Sequence, residues 1–221
     1  MSQAQWTAVD KYITDMLVPS DRALDEALQA SVAAGLPPIQ VSANQGKLLH
    51  LLAKIQGAQR ILEIGTLGGY STIWLARALP PQGRLITLEA APRHAEIAKG
   101  NIARAGLQNQ VEIRLGKALD LLGKIAQEKQ PPFDLIFIDA DKESIADYFQ
   151  WALKLSRPGS VIIADNVVRK GAVVDAGSAD SAVQGVRRFN EVLAVERRVS
   201  ATAIQTVGSK GYDGFAIAVV L

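Results

Sequence analysis

Phe133-Asp134-Leu135-Ile136-Phe137-Ile138-Asp139-Ala140-Asp141-Lys142 is the stretch whose reading decides the fold. Residues 135–138 are an unbroken apolar run, too short for a helix and rich enough in Ile and Phe for a buried strand. Three charged groups follow at once, Asp139, Asp141 and Lys142. In an open α/β sheet the carboxyl end of a strand faces the ligand crevice. Carboxylates there are costly to desolvate and need a cation, a ligand hydroxyl or a neighbouring ammonium. An acidic helix cap with a solvated lysine behind it would account for this stretch alone. The next strand argues for more, because residues 161–164 are again short and apolar and end in Asp165-Asn166. Neighbouring strands would then point three oxygen side chains, Asp139, Asp165 and Asn166, at one spot.

Upstream and downstream of this strand the pattern alternates. Strands are expected at 60–64, 84–88 and 111–115, with helices at 70–79, 94–105, 119–128 and around 145–153. Strands regularly separated by helices imply a parallel, doubly wound sheet. Residues 198–204 and 215–220 are strand-like but too close in sequence for a helical crossover, so an antiparallel closing pair is expected. Residues 3–57 read as three helical pieces. Trp6, Val9, Ile13 and Leu17 keep helical spacing in the first, Pro19-Ser20-Asp21 ends it and caps the second, and Leu48, Leu49, Leu52 and Ile55 line one side of the third. The expectation is one domain over 1–221, an α/β cofactor-binding core (58–221) behind a helical N-terminal cover (1–57).

Composition narrows the chemistry. The chain has 221 residues and no cysteine, which excludes disulfides, thiolate metal sites and cysteine nucleophiles. Its two histidines, His50 and His94, are too far apart for an imidazole metal motif. A net charge of +2, with both signs interspersed, gives no case for nucleic acid or membrane partners. No stretch approaches a membrane span and the first residues form no signal peptide, so a soluble cytoplasmic protein is expected.

Glu63-Ile64-Gly65-Thr66-Leu67-Gly68-Gly69-Tyr70-Ser71 joins the first strand to its helix. The glycines permit a tight turn and close ligand approach, but the spacing is not the dinucleotide fingerprint, and Glu63 would repel a pyrophosphate. Glu89 ends the second strand, where an acid grips ribose hydroxyls. Together they describe a phosphate-free nucleoside carrying a positive group, a description that S-adenosylmethionine fits. Gly69-Tyr70-Ser71 only glances at a nucleophile elbow, since Ile73 replaces the second glycine. The oxygen-only set Asp139, Asp165 and Asn166 favours Mg²⁺, with Mn²⁺ or Ca²⁺ also suitable. Lys142, a helical step from Asp139, is either its ion-pair partner or a proton acceptor. Arg169 and Lys170 read as a solvated pair, although an anionic substrate would suit them. Trp74 and Trp151 read as core.

These residues resemble the cation-dependent S-adenosylmethionine O-methyltransferases of the catechol and caffeoyl-CoA type, from about Val41 onward. The resemblance rests on Leu-Glu-Ile-Gly-Thr with Gly-Gly-Tyr-Ser, Leu88-Glu89, Phe-Ile-Asp-Ala-Asp-Lys and Ala-Asp-Asn, and leans toward the caffeoyl-CoA and bacterial branch. It implies a Rossmann-like class I methyltransferase fold and transfer of a methyl group to a vicinal dihydroxy-aromatic molecule. It implies cofactor contacts from Val41, Ser42, Glu63, Gly65, Ser71, Glu89, Ala90, Gly116, Lys117, Ala118 and Asp139. Metal ligation falls to Asp139, Asp165 and Asn166, the base is Lys142, and a homodimer is expected. The acid that holds the second catechol hydroxyl in the animal enzyme has no clear match; Tyr212 and Asp213 are the candidates. An NAD-dependent oxidoreductase, an RNA or protein methyltransferase and a non-catalytic cofactor-binding protein are the competing readings.

Overall fold

The computed structural model describes residues 2–19 and 21–221. Ser20, part of the expected cap, lies outside the described residues. Among the described residues, seven strands form one sheet: β1 (Arg60–Ile64), β2 (Arg84–Glu89), β3 (Val111–Leu115), β4 (Phe133–Ile138), β5 (Ser156–Asp165), β6 (Val199–Gly208) and β7 (Gly211–Val220). Their order is β3-β2-β1-β4-β5-β7-β6, parallel from β3 through β5 and antiparallel at β7 and β6. The strand order reverses between β1 and β4, and ligands in such sheets bind at that reversal.

Among the described residues, eight α-helices flank the sheet: α1 (Gln3–Leu17), α2 (Arg22–Ala33), α3 (Ala43–Gln56), α4 (Tyr70–Ala76), α5 (Pro92–Arg104), α6 (Ala118–Gln127), α7 (Ile145–Lys154) and α8 (Ser181–Val195). Side chains alternate across each strand, so the parallel sheet is buried on both faces. Leu62, Ile64, Ile136 and Ile138 pack with Phe149 of α7 and Phe189 of α8, whose rings meet edge to face at 5.5 Å. Ile61, Leu135, Phe137 and Ile163 pack on the other side with Leu49, Ile73 and Ile102 from α3, α4 and α5.

Local chemistry fixes the ends of these elements. Ser42 and Gln45 form a reciprocal capping box at the start of α3, and Gly57 ends it in the left-handed region. Asp21 caps α2 and also pairs with Arg77 at 2.9 Å, tying α2 to the end of α4. The N-terminal helices are not one detached cover. Asp10 of α1 accepts from Ser209 N and Oγ at 2.7 and 2.9 Å, in the β6–β7 turn, whereas α2 and α3 pack on the helices beside β1.

Three features depart from the sequence reading. β5 begins at Ser156, because Ser156 pairs with Phe133 across a break in register and the Ser160 hydroxyl donates to the Phe133 carbonyl at 2.7 Å. The C-terminal strands run on to a two-residue turn, Ser209-Lys210, where ten intervening residues were expected. The sequence reading assigns no element to 171–197, yet α8 stands there, capped by Asp180 and burying Val183, Val186 and Phe189.

Candidate active site

A cavity of about 760 Å³ opens at the carboxyl ends of β1, β2 and β4. Val41, Gly65, Ser71, Glu89, Ala90, Lys117, Ala118, Asp139, Lys142 and Asn166 line it, ten of the residues singled out from sequence. Ser42, Glu63, Gly116 and Asp165 stand behind the wall. Ser42 caps α3, and the Gly116 amide donates to the Glu89 carbonyl at 2.8 Å.

The floor is set by Gly65. Its φ of +103° suits glycine, and a Cβ built there would lie 2.1 Å from the Asp139 carbonyl oxygen. Only glycine therefore lets the β1 and β4 tips close up. Glu63, two residues earlier on β1, is fully buried. Its Oε1 accepts from Ser71 at 2.6 Å, and its Oε2 accepts from Thr72 at 2.5 Å and Thr87 at 2.7 Å. Burial pushes the Glu63 carboxyl up to about 7 against these three hydroxyl donors, which favour the charged form. Glu63 thus braces Ser71 from behind.

Glu89 organises the next wall. Its Oε2 accepts from the Leu67 and Thr66 amides at 2.8 and 3.2 Å, and its Oε1 accepts from Ala91 N at 2.9 Å. His94 Nδ1 lies 3.4 Å from Oε1 and lines the cavity, where the sequence reading places it on a surface helix. The glycine-loop amides carry no side-chain signal that a sequence reading could find.

Asp139 and Asp165 stand one position beyond the paired residues Ile138 and Ala164, at adjacent strand tips. Lys142 is buried and its Nζ lies 3.0 Å from Asp139 Oδ1, so the ion pair weighed as the alternative to a proton-accepting role is present. Burial and the Asp139 carboxylate push Asp165 up to about 7, and the Lys142 ammonium opposes this. Two facing carboxylates offset by one ammonium leave negative charge in excess, and the donors are all oxygen, so a hard cation fits the three residues. Among the described residues no three His, Cys, Asp or Glu side chains converge on a metal position; this set depends on the amide of Asn166. Asn166 itself sits at φ +58°.

Tyr148 is a cavity residue that sequence reasoning placed on a core-facing helix. Its hydroxyl donates to Asp141 Oδ1 at 2.5 Å, and burial together with that carboxylate pushes the phenol above its ordinary value. Asp141 lies in the loop that precedes α7, so this contact has no periodic signal in the sequence.

The family profile described as O-methyltransferase matches residues 15–217. This chain belongs to the O-methyltransferase family. It is 56% identical over 220 residues, the whole of both chains, to a catechol O-methyltransferase from Niastella koreensis. The crystal structure of an O-methyltransferase from Bacillus cereus in complex with SAH shares 62% identity with it at a TM-score of 0.98, covering both chains fully. That of TomG from Streptomyces achromogenes, in complex with SAM, shares 55% identity at a TM-score of 0.97 and covers 100% of this chain and 99% of that one. The fold is thus the class I methyltransferase fold, and the oxidoreductase reading falls away.

In this O-methyltransferase neither Tyr212 nor Asp213 is among the residues that line the cavity. Tyr212 donates its hydroxyl to Gln205 across the hairpin. Asp213 Oδ1 accepts from the Val168, Arg169 and Gly214 amides at 2.9, 3.0 and 3.0 Å, tethering the loop after Asn166. Among the described residues, no helix is long and apolar enough to cross a membrane.

Proposed function

We propose that this O-methyltransferase transfers the methyl group of S-adenosylmethionine to one hydroxyl of a vicinal dihydroxy-aromatic small molecule, catechol-like, caffeoyl or flavonoid. The observation that carries the reading is the juxtaposition of Asp139, Asp165 and Lys142 at two adjacent strand tips, with Asp139 and Lys142 lining the cavity beside the glycine loop and Asp165 buried behind them. Asp139, Asp165 and Asn166 would hold a divalent cation, Mg²⁺ above Mn²⁺ or Ca²⁺. Such a cation supplies Lewis-acid chemistry, acidifying a hydroxyl and fixing its orientation.

The chain's own residues do the rest. Gly65, Ser71 and Asp139 would receive the methionine end of the cofactor, with Glu63 holding Ser71 in place and Val41 and Ser42 in the segment that closes over it. Glu89 and Ala90 take the ribose; Gly116, Lys117 and Ala118 flank the adenine. Lys142 would be the group that accepts the proton of the attacking hydroxyl, and its confinement beside Asp139 fixes where that proton goes. No covalent enzyme intermediate is required, so rate enhancement comes from positioning and charge.

The homodimer reading has a face to use. Val9, Tyr12, Ile13, Met16 and Leu17 form an exposed apolar stripe on α1, a helix with no buried residue. A second copy of the chain would cover it. Light scattering of the intact protein should give twice the chain mass; a Tyr12→Glu, Met16→Glu double variant should run as a monomer. A monomeric wild type would refute that part.

The function is tested by incubating the protein with labelled S-adenosylmethionine and a catechol, in Mg²⁺ or in EDTA. Label should enter the catechol only with the cation. Equal turnover in both would remove the metal from the reaction, and no transfer in either would remove the acceptor class.

A further inference from the structure

Arg169 lines the cavity with Lys142, Tyr148 and Asn166, and its charge, unlike that of Lys142, meets no carboxylate among the described residues. Lys142 is paired with Asp139 and Tyr148 with Asp141. Elsewhere Arg77, Arg114, Arg157 and Arg198 each meet a carboxylate. Among the described residues, the Arg169 side chain has no ion pair and no hydrogen bond, and its Nε is buried without a partner. A buried donor on a cation is costly to leave unpaired.

The backbone holds this guanidinium in place. Asn166, Arg169 and Lys170 have φ of +58°, +54° and +56°, and Gly171 has +88°. Residues other than glycine rarely adopt this region, and such strain persists only where the surroundings enforce it. Asp213 does so, accepting from the Val168 and Arg169 amides. The loop therefore spends conformational energy to bring an unpaired cation to the cavity, three residues after Asn166.

We propose that Arg169 is a specificity-determining residue that binds a carboxylate substituent of the acceptor, making vicinal dihydroxy-aromatic acids the preferred substrates over neutral catechols. This rests on the function proposed above and narrows its substrate class. The planar fork of arginine matches a carboxylate with two parallel hydrogen bonds. Three residues of chain span at most about 10 Å, so the anion belongs on the ring or a short side chain and not on a distant nucleotide. Lys170, the neighbouring cation, is exposed and serves as a control.

The test compares 3,4-dihydroxybenzoate with 3,4-dihydroxybenzamide, which differ in one charge, using wild type, Arg169→Gln, Arg169→Lys and Lys170→Gln with S-adenosylmethionine and Mg²⁺. Wild type should show a KM for the acid on the order of 10- to 100-fold below that for the amide, the worth of a charge-assisted pair. Arg169→Gln should erase that preference by raising only the acid's KM, with kcat and the amide's KM little changed. Arg169→Lys should keep part of the preference, and Lys170→Gln all of it. No preference in the wild type, or equal losses on both substrates, would overturn the assignment while leaving the methyl transfer standing. Should neither compound be methylated, the proposed function fails instead. Calorimetric titration of the SAH-loaded protein with benzoate then still decides for Arg169: binding lost in Arg169→Gln supports it, and no difference overturns it.

Discussion

Replacing Gly185 by alanine tests how tightly Lys142 must be held. Gly185 lies within α8, and a Cβ there would stand 2.0 Å from the Lys142 carbonyl oxygen, where ordinary contact begins at 3.4 Å. Helix α8 or the 139–144 loop must therefore give by about 1.4 Å. In an open helical position alanine would stabilise by about 1 kcal/mol. Overpacking of this kind costs about 1–3 kcal/mol, so the overlap wins. The net effect should be a Tm lower by a few degrees, at about 2–4 °C per kcal/mol for a domain of this size. The larger effect is on chemistry. Displacing a reacting group by about 1 Å costs on the order of 100-fold in rate. Because the adenosine side of the site is built on the loops after β2 and β3, away from the 139–144 loop, cofactor affinity should fall much less than the rate. Steady-state kinetics, thermal unfolding and an SAH titration on Gly185→Ala separate these effects. A raised Tm with unchanged kcat would refute the reasoning, since it would mean that the loop yields freely and Lys142 needs no fixed position.

Two further predictions concern pH. The folded pKa of Glu63 is raised from 4.5 to about 7, so the folded state holds its proton where the unfolded state does not. Stability in the absence of ligands should fall as pH rises from 4.5 to 7, by on the order of 3 kcal/mol from this group. Asp165 adds a loss of the same sign, so the informative quantity is the wild-type curve minus that of Glu63→Gln, measured by urea unfolding; parallel curves would refute the assignment. At Asp165, whose proton also leaves near 7, a cation must displace that proton. Mn²⁺ affinity followed by water-proton relaxation should weaken by up to ~10-fold per pH unit below 7, and a flat profile there would count against Asp165 as a ligand.

The strand tips were legible because each carries its own evidence. Residues 135–138 and 161–164 are apolar runs that stop abruptly at acids, and in a parallel sheet that stop has a direction. The same held for Gly65, since a glycine after a strand signals close approach. What sequence could not supply was register. The hydroxyls on Glu63 come from Ser71 and Thr72 on α4 and from Thr87 on β2, and only the pairing of Glu63 with Thr87 brings that last one near. Asp213 and Tyr212 looked like substrate-facing groups, yet strand pairing turns one to the loop amides and the other to Gln205. Helix α8 carried Val183, Val186 and Phe189 at helical spacing behind an Asp180 cap. The left-handed residues from Arg169 to Gly171, which follow no periodic pattern, separate it from the strand pattern before it. In α1 the periodicity was read correctly as one apolar face, but spacing alone does not say what covers that face. Val9 and Leu17 are 50% and 68% exposed.

Anomalous diffraction from crystals grown with Mn²⁺, SAH and a catechol reports most directly on whether a cation links the β4 and β5 tips. The account predicts one strong peak per chain, within about 2.3 Å of oxygens from Asp139, Asp165 and Asn166, with catechol oxygens completing the shell. A bound catechol with no peak at that position, or a peak that omits Asp165, would contradict it.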